Sequence, residues 1–199
     1  MKLIELMQKR YATKKFDGET IPESKIEELK DLIKLVPSSF GLQPFKVKII
    51  SNKELKEKLA PASWNQTQIT TCSHLLVFCA YTNIKERVNE YEQLLIKNGT
   101  PPEKAKAYTD TMRGFNEGLN TDSKNTWAQK QVYLAVENAL LGATELGFDS
   151  CPMEGFIPAD FSKILQLTED LIPTVLVPIG YAADTPRTKI RFENKDLFF

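Results

Sequence analysis

Histidine is almost missing from this chain: His74 is the only one in 199 residues. Most zinc and iron sites take imidazole or clustered thiolate. The three cysteines, Cys72, Cys79 and Cys151, show no CxxC spacing, so no metal site is expected. Odd in number and set in apolar or turn contexts, they read as reduced thiols of a cytoplasmic protein, not as a disulfide framework. The nine glycines never build GxGxxG or GxxxxGK[ST], so neither the usual dinucleotide fold nor the P-loop is signalled. GxSxG is absent too, which argues against a serine hydrolase of that type. No run approaches the ~20 apolar residues of a membrane span, and Met1-Lys2-Leu3-Ile4-Glu5-Leu6 lacks the apolar core of a signal peptide. Lysine plus arginine balance aspartate plus glutamate at 26 each. Zero net charge argues against a general binder of nucleic acid or acidic membrane.

What is present is ordinary in bulk: 42% hydrophobic and 26% charged residues, in a length that suits one domain over 1–199. Residues 4–10 read as a short helix. Residues 22–36 read as a second, with Pro22 in its first turn, Ile26, Leu29, Ile33 and Val36 on one face, and Pro37 as its stop. Residues 45–50 alternate as in a half-buried strand, and 74–81 form a nearly continuous apolar run that suits a strand buried on both faces. Two helices are expected within 84–120, and the polar run 120–126 is expected to loosen the end of the second. The strongest helix is 127–146, where the small Ala135, Ala139, Gly142 and Ala143 leave room for another helix to approach closely. Short strands at 148–151 and 173–180 flank a helix near 159–167. Helices with about four strands give an α+β or three-layer α/β class.

The polar segments are weak signals one by one. Lys9-Arg10-Tyr11-Ala12-Thr13-Lys14-Lys15 packs four cations into seven residues; such a cluster is a solvated patch unless other segments meet it at a phosphate. Pro37 to Pro44 is a turn-rich loop bearing hydroxyls. Asn65 and Gln68 are two amides that share one face if helical. Pro152-Met153-Glu154-Gly155 follows a strand, where free N–H groups can point at a ligand. Lys189 and Arg191 project to one side of an extended segment. His74, opening a buried strand, reads as a hydrogen-bonded core histidine.

Together these segments resemble the FMN-dependent nitroreductase family, in its oxygen-insensitive NAD(P)H nitroreductase or dihydropteridine-reductase-like branch. The marks are Lys9-Arg10-x-x-Thr13-Lys14-x-Phe16-Asp17, Pro37-Ser38-Ser39-x-x-x-Gln43-Pro44, Ser73-His74-x-x-Val77-Phe78-Cys79-Ala80, Lys130-Gln131-Val132-Tyr133-Leu134, Pro152-x-Glu154-Gly155-Phe156 and Lys189-x-Arg191, in family order. The resemblance implies an α+β, three-layer α/β/α fold. Its central, mostly antiparallel sheet is flanked by helices, and a C-terminal tail reaches the partner subunit of a homodimer that holds FMN at its interface. By the same resemblance Arg10, Lys189 and Arg191 hold the FMN phosphate, and Lys14 lies at the N1/O2 edge of the ring. Asn65 bonds the pyrimidine edge. The Pro152–Gly155 turn, Met153 included, presents the N–H groups of Glu154 and Gly155 to N5 and O4. Pro37, Ser38, Ser39 and Gly41 reach in from the other subunit, and Gln131 approaches the phosphate end.

The chain departs from the pattern in three places. Tyr11 and Ala12 replace a common His-Ser, and Ala12 offers no hydroxyl. Gln68 stands where a lysine is common, and Phe40 where a threonine is common. Phe40 narrows the pocket and favours flat aromatic acceptors by stacking; Phe115, within the 84–120 helical excursion over the site, is the second pocket aromatic. The implied reaction is two-electron, ping-pong reduction of nitroaromatics, quinones or related small molecules by NADH or NADPH, with the cofactor carrying the chemistry and no dedicated catalytic residue. The rival is a flavin-binding or flavin-processing protein without NAD(P)H turnover.

Overall fold

The structure, a computed structural model, describes residues 2–199. Its sheet has four strands, β1 (Phe45–Ile50), β2 (His74–Tyr81), β3 (Asp149–Ser150) and β4 (Leu171–Gly180), in the order β1-β2-β4-β3 with every neighbouring pair antiparallel. β2 is central because all eight of its residues are buried, as its unbroken apolar run requires. Side chains alternate across it. Leu76, Phe78 and Ala80 face one core with Val175, Val177 and Ile179 of β4, and Leu75, Val77 and Cys79 face the other with Leu176. A β-bulge between Phe78 and Cys79 leaves Thr174 of β4 out of register.

Helices cover both faces. The first core is closed by α2 (Glu23–Lys34) and α7 (Thr121–Glu145), the second by α3 (Lys53–Leu59), α4 (Thr67–Thr71) and α8 (Pro158–Leu165). Ile26, Leu29 and Ile33 of α2 are buried at the spacing read from sequence. The small-residue stripe of α7 receives α2: a Cβ on Gly142 would lie 2.9 Å from Leu32 Cδ1 and 3.0 Å from Leu29 Cδ1, so glycine permits this approach. α7 begins two turns earlier than its apolar stripe indicates. Residues 121–126 are helical, and Asn120 caps them by accepting from the Ser123 N–H at 2.8 Å. The polar run is a solvated first turn, not a loose end of the preceding helix.

α1 (Leu3–Lys9) packs beside α7, and α5 (Ile84–Lys97) and α6 (Pro102–Glu117) form a helical pair. Arg113 of α6 fastens the pair by donating to Glu92 Oε2 at 2.7 Å and Asn89 Oδ1 at 3.1 Å. A short α9 (Asn194–Leu197) ends the described chain. His74 is buried, hydrogen-bonded through Nδ1 to Ser73 Oγ at 2.8 Å, and held below the usual imidazole range mainly by burial. Among the described residues no helix is long and apolar enough to cross a membrane, and no cluster of His, Cys, Asp or Glu is placed to hold a metal.

Candidate cofactor site

After α1 the chain extends and is stitched on both sides. Ala12 bridges Ser150 in parallel, Phe16 bridges Ala182 in antiparallel, and the Asp17 N–H donates to Tyr181 O at 3.0 Å. Phe16 is 2% exposed and pins the segment to the second core, which turns Lys14 and Lys15 outward. The tail after β4 runs alongside, and the Ala183 N–H donates to Lys15 O at 2.9 Å. Between the two lies a cleft of about 260 Å³, lined by Arg10, Tyr11, Ala12 and Lys14 on one side and by Asp184, Arg187, Lys189 and Arg191 on the other. Arg10, Lys14, Lys189 and Arg191 therefore line one cleft, while Lys9 and Lys15 stay outside it. Arg187 and Asp184 were missed, because a coil segment has no periodicity to mark which side chains face inward.

The cleft has the electrostatics of an anion site. Lys189 is held below the usual ammonium range by burial, then by the nearby Arg10 and Arg191. It donates to the carbonyls of Met7 and Gln8 at the C-terminal end of α1, to the latter at 2.7 Å. Crowded like charges of this kind are relieved by a bound anion, and two arginines offer paired donors that suit phosphate. The donor set fits the phosphate of a mononucleotide.

A second feature adjoins Lys14, whose Nζ lies 3.5 Å from Cys151 Sγ. Burial pushes the Cys151 thiol up despite the lysine, so it stays protonated and inert as a nucleophile. The chain then turns through Pro152–Gly155. Met153 exchanges backbone hydrogen bonds with Leu176 at 2.8 and 2.9 Å, which fixes the turn to β4. Among the described residues the N–H groups of Glu154 and Gly155 donate to no acceptor in the chain. The Glu154 carboxylate instead accepts from Tyr133 of α7 at 2.6 Å. Gln66 Nε2 donates to Gly155 O at 2.8 Å and ties this turn to 61–66. A side chain on Gly155 would meet Trp64 at 2.9 Å, so the turn can lie under the indole only as glycine. Asn65 is exposed and left-handed (φ 53°), ahead of α4, whereas Gln68 inside α4 is 5% exposed. The two amides thus do not share a helical face; Asn65 is open to a ligand and Gln68 turns in beside Cys151.

The remaining expected residues form a separate cluster. Gln131 of α7 accepts from the Ser39 N–H at 2.9 Å, and Ser38 Oγ accepts from the Gln43 N–H at 2.9 Å. These bonds hold Phe40 in a left-handed conformation (φ 58°), rare for a bulky residue and a mark of a shaped loop. The Phe40 ring meets Phe115 of α6 at 5.4 Å, and Phe115 meets Trp127 of α7 at the same distance. Leu42 packs with Ile84, Val88 and Met112, so the α5–α6 pair rests on this loop. Pro37 and Gly41 are exposed. Gln131 is thereby placed against the 38–41 loop of its own chain.

Comparisons with known proteins agree with this geometry. The model of the Nitroreductase family matches residues 7–181. A Staphylococcus haemolyticus protein, provisionally named an NAD(P)H nitroreductase, is 35% identical over 204 residues, covering 94% of this chain and 92% of its own length. The fold superposes on a provisionally named NAD(P)H:FMN oxidoreductase of Staphylococcus epidermidis with a TM-score of 0.92, at 21% identity over 98% of this chain and 93% of the other. It also superposes on a provisionally named nitroreductase of Exiguobacterium sibiricum, solved in complex with FMN, with a TM-score of 0.90, at 22% identity over 99% and 96%.

Proposed function

Since the chain belongs to the nitroreductase family, we propose that it is an FMN-dependent oxidoreductase that uses NADH or NADPH to reduce nitroaromatics, quinones or related small acceptors. One observation carries the reading: Arg10, Lys189 and Arg191 meet in a single cleft, adjoined by Lys14 and by a turn with two free N–H groups. The chemistry is supplied by FMN when bound, as reversible two-electron acceptance of a hydride in ping-pong order. The chain's own residues bind and polarise. Arg10, Lys189 and Arg191 hold the phosphate, and Tyr11 and Ala12 wall the cleft. Lys14 provides a fixed cation that offsets negative charge on the reduced ring. The N–H groups of Glu154 and Gly155, with the side chain of Asn65, orient the ring, and Gln68, Pro152 and Met153 support that turn.

The 37–41 cluster, with Gln131 behind it, completes the site from a second subunit of a homodimer. Exposed apolar surface supports a partner: Leu3, Ile4 and Met7 on α1, and Ile190, Phe192, Leu197, Phe198 and Phe199 in a tail that would cross to the other subunit. Buried free thiols suit the reducing cytoplasm.

Anaerobic titration tests the reading. The purified protein should be yellow, and NADH or NADPH should bleach its flavin band in one two-electron step. A colourless protein that ignores added FMN overturns the proposal. A yellow one that neither nucleotide bleaches leaves only a flavin carrier.

Phe40 and Phe115 shape the acceptor pocket in this reading. Phe40→Thr removes one member of the aromatic trio and should change the relative rates for flat aromatic and small acceptors by about three- to ten-fold, from loss of one aromatic pair. FMN content should stay constant. Unchanged relative rates across an acceptor panel would refute a pocket role for Phe40.

A further inference from the structure

A carboxylate inside an anion-binding cleft opposes the function of that cleft, yet Asp184 lies there among Arg10, Lys14, Arg187, Lys189 and Arg191. Its oxygens are not spent on those cations. Among the described residues Asp184 forms no ion pair. Oδ1 accepts from the Tyr11 hydroxyl at 2.9 Å, and Oδ2 accepts from the backbone N–H of Lys14 at 2.8 Å. The Tyr11 hydroxyl also reaches Asp184 O at 3.2 Å. Burial, with Asp184 adding to it, pushes the Tyr11 phenol up to about 12, so the hydroxyl remains a donor throughout the physiological range. On its other side the Lys14 carbonyl accepts from Thr67 Oγ1 at 2.9 Å. The Lys14 backbone is thus gripped at both polar groups, and one grip comes from a residue 170 positions away.

We infer that Asp184 is the positioning residue of the cleft, fastening the 10–14 segment to the cation-bearing tail so that Lys14 is held beside the Cys151–Gly155 turn. Its geometric role outweighs the repulsion its charge exerts on a bound phosphate. Tyr11 belongs to the same device, since its ring walls the cleft while its hydroxyl orients the carboxylate. The inference rests on the FMN reading for its consequence, but not for the tie itself.

Substitution separates geometry from charge. In Asp184→Asn the amide oxygen can still accept from the Lys14 N–H, and the amide NH₂ can donate to the Tyr11 oxygen, so both ties survive without the charge. In Asp184→Ala both ties and the charge are lost. If position matters, Asp184→Asn binds FMN at least as tightly as the parent protein. Asp184→Ala binds it about ten-fold more weakly, the loss expected for hydrogen bonds to a charged group. Asp184→Ala should also lower the bound flavin's midpoint potential, because Lys14 is less firmly placed, and Asp184→Asn should not. If Asp184 acts only through charge, both variants bind FMN more tightly, and that result overturns the inference. Hydrogen exchange on flavin-free protein reads the tie directly. The Lys14 amide should lose protection in Asp184→Ala and keep it in Asp184→Asn, whether or not FMN is the ligand. Equal protection in both variants refutes the positioning role; absence of FMN binding by the parent protein refutes only the cofactor reading.

Discussion

Arg10→Ala should purify almost colourless, with FMN affinity reduced by about 2–4 kcal/mol, on the order of a hundred-fold, as when one partner of a desolvated, hydrogen-bonded charge pair is truncated. Arg10 is half-buried at the exit of α1 and shares the cleft with Lys189 and Arg191. Removing it leaves a phosphate short of a paired donor and leaves the carbonyl-bound Lys189 to carry more of the load. The control lies five residues on. Lys15 is exposed and outside the cleft, so Lys15→Ala should change affinity by less than about two-fold, as for a screened surface charge. Titration of apoprotein with FMN, followed by flavin fluorescence, measures both. Equal losses would mean that the basic segment acts as a diffuse patch and not as a clamp.

Phe78→Ala should lower the unfolding free energy by about 3–5 kcal/mol, the range for deleting a buried phenyl ring from a core. Phe78 is 0% exposed and central to the sheet, opposite Val47 on β1 and Val175 on β4, with its ring in the core beneath α2 and α7. It is paired on both sides, to Val47 and Val175, so its neighbours have little freedom to collapse into the cavity. Urea denaturation at fixed protein concentration should show a lower midpoint with an unchanged slope. A loss below about 1 kcal/mol would mean that the site repacks despite the pairing on both sides.

The elements easiest to read in the sequence are those with one dominant signal. β2 has its apolar run and α2 its three-and-four spacing; both lie within a residue or two of where the pattern puts them. Failures occur where the signal is polar. Residues 121–126 carry no stripe, so the first turns of α7 are invisible to periodicity although Asn120 marks the cap. The left-handed Trp64 and Asn65 hold those angles because the Asn65 N–H reaches back to Ala60 O at 2.8 Å, a contact no residue pattern announces. The candidate site is legible in the sequence as a set of motifs in family order. The grouping of residues 10–14 with Lys189 and Arg191, apart from the loop at 37–41, comes only from the resemblance. Asp184 is not legible, because an isolated carboxylate in coil looks like any solvated one until the Lys14 N–H is seen against it.

The ties across the cleft also set a timetable. Lys189 reaches α1 carbonyls 182 and 181 positions back, and Asp184 reaches Lys14 over 170. Closing a loop of that length costs on the order of 4–5 kcal/mol in chain entropy before any contact repays it. Residues 7–14 are therefore made before their partners at 184 and 189, as one half of the proposed site. On the proposed reading, the nascent chain offers no complete phosphate clamp until residue 191 has emerged to join Arg10.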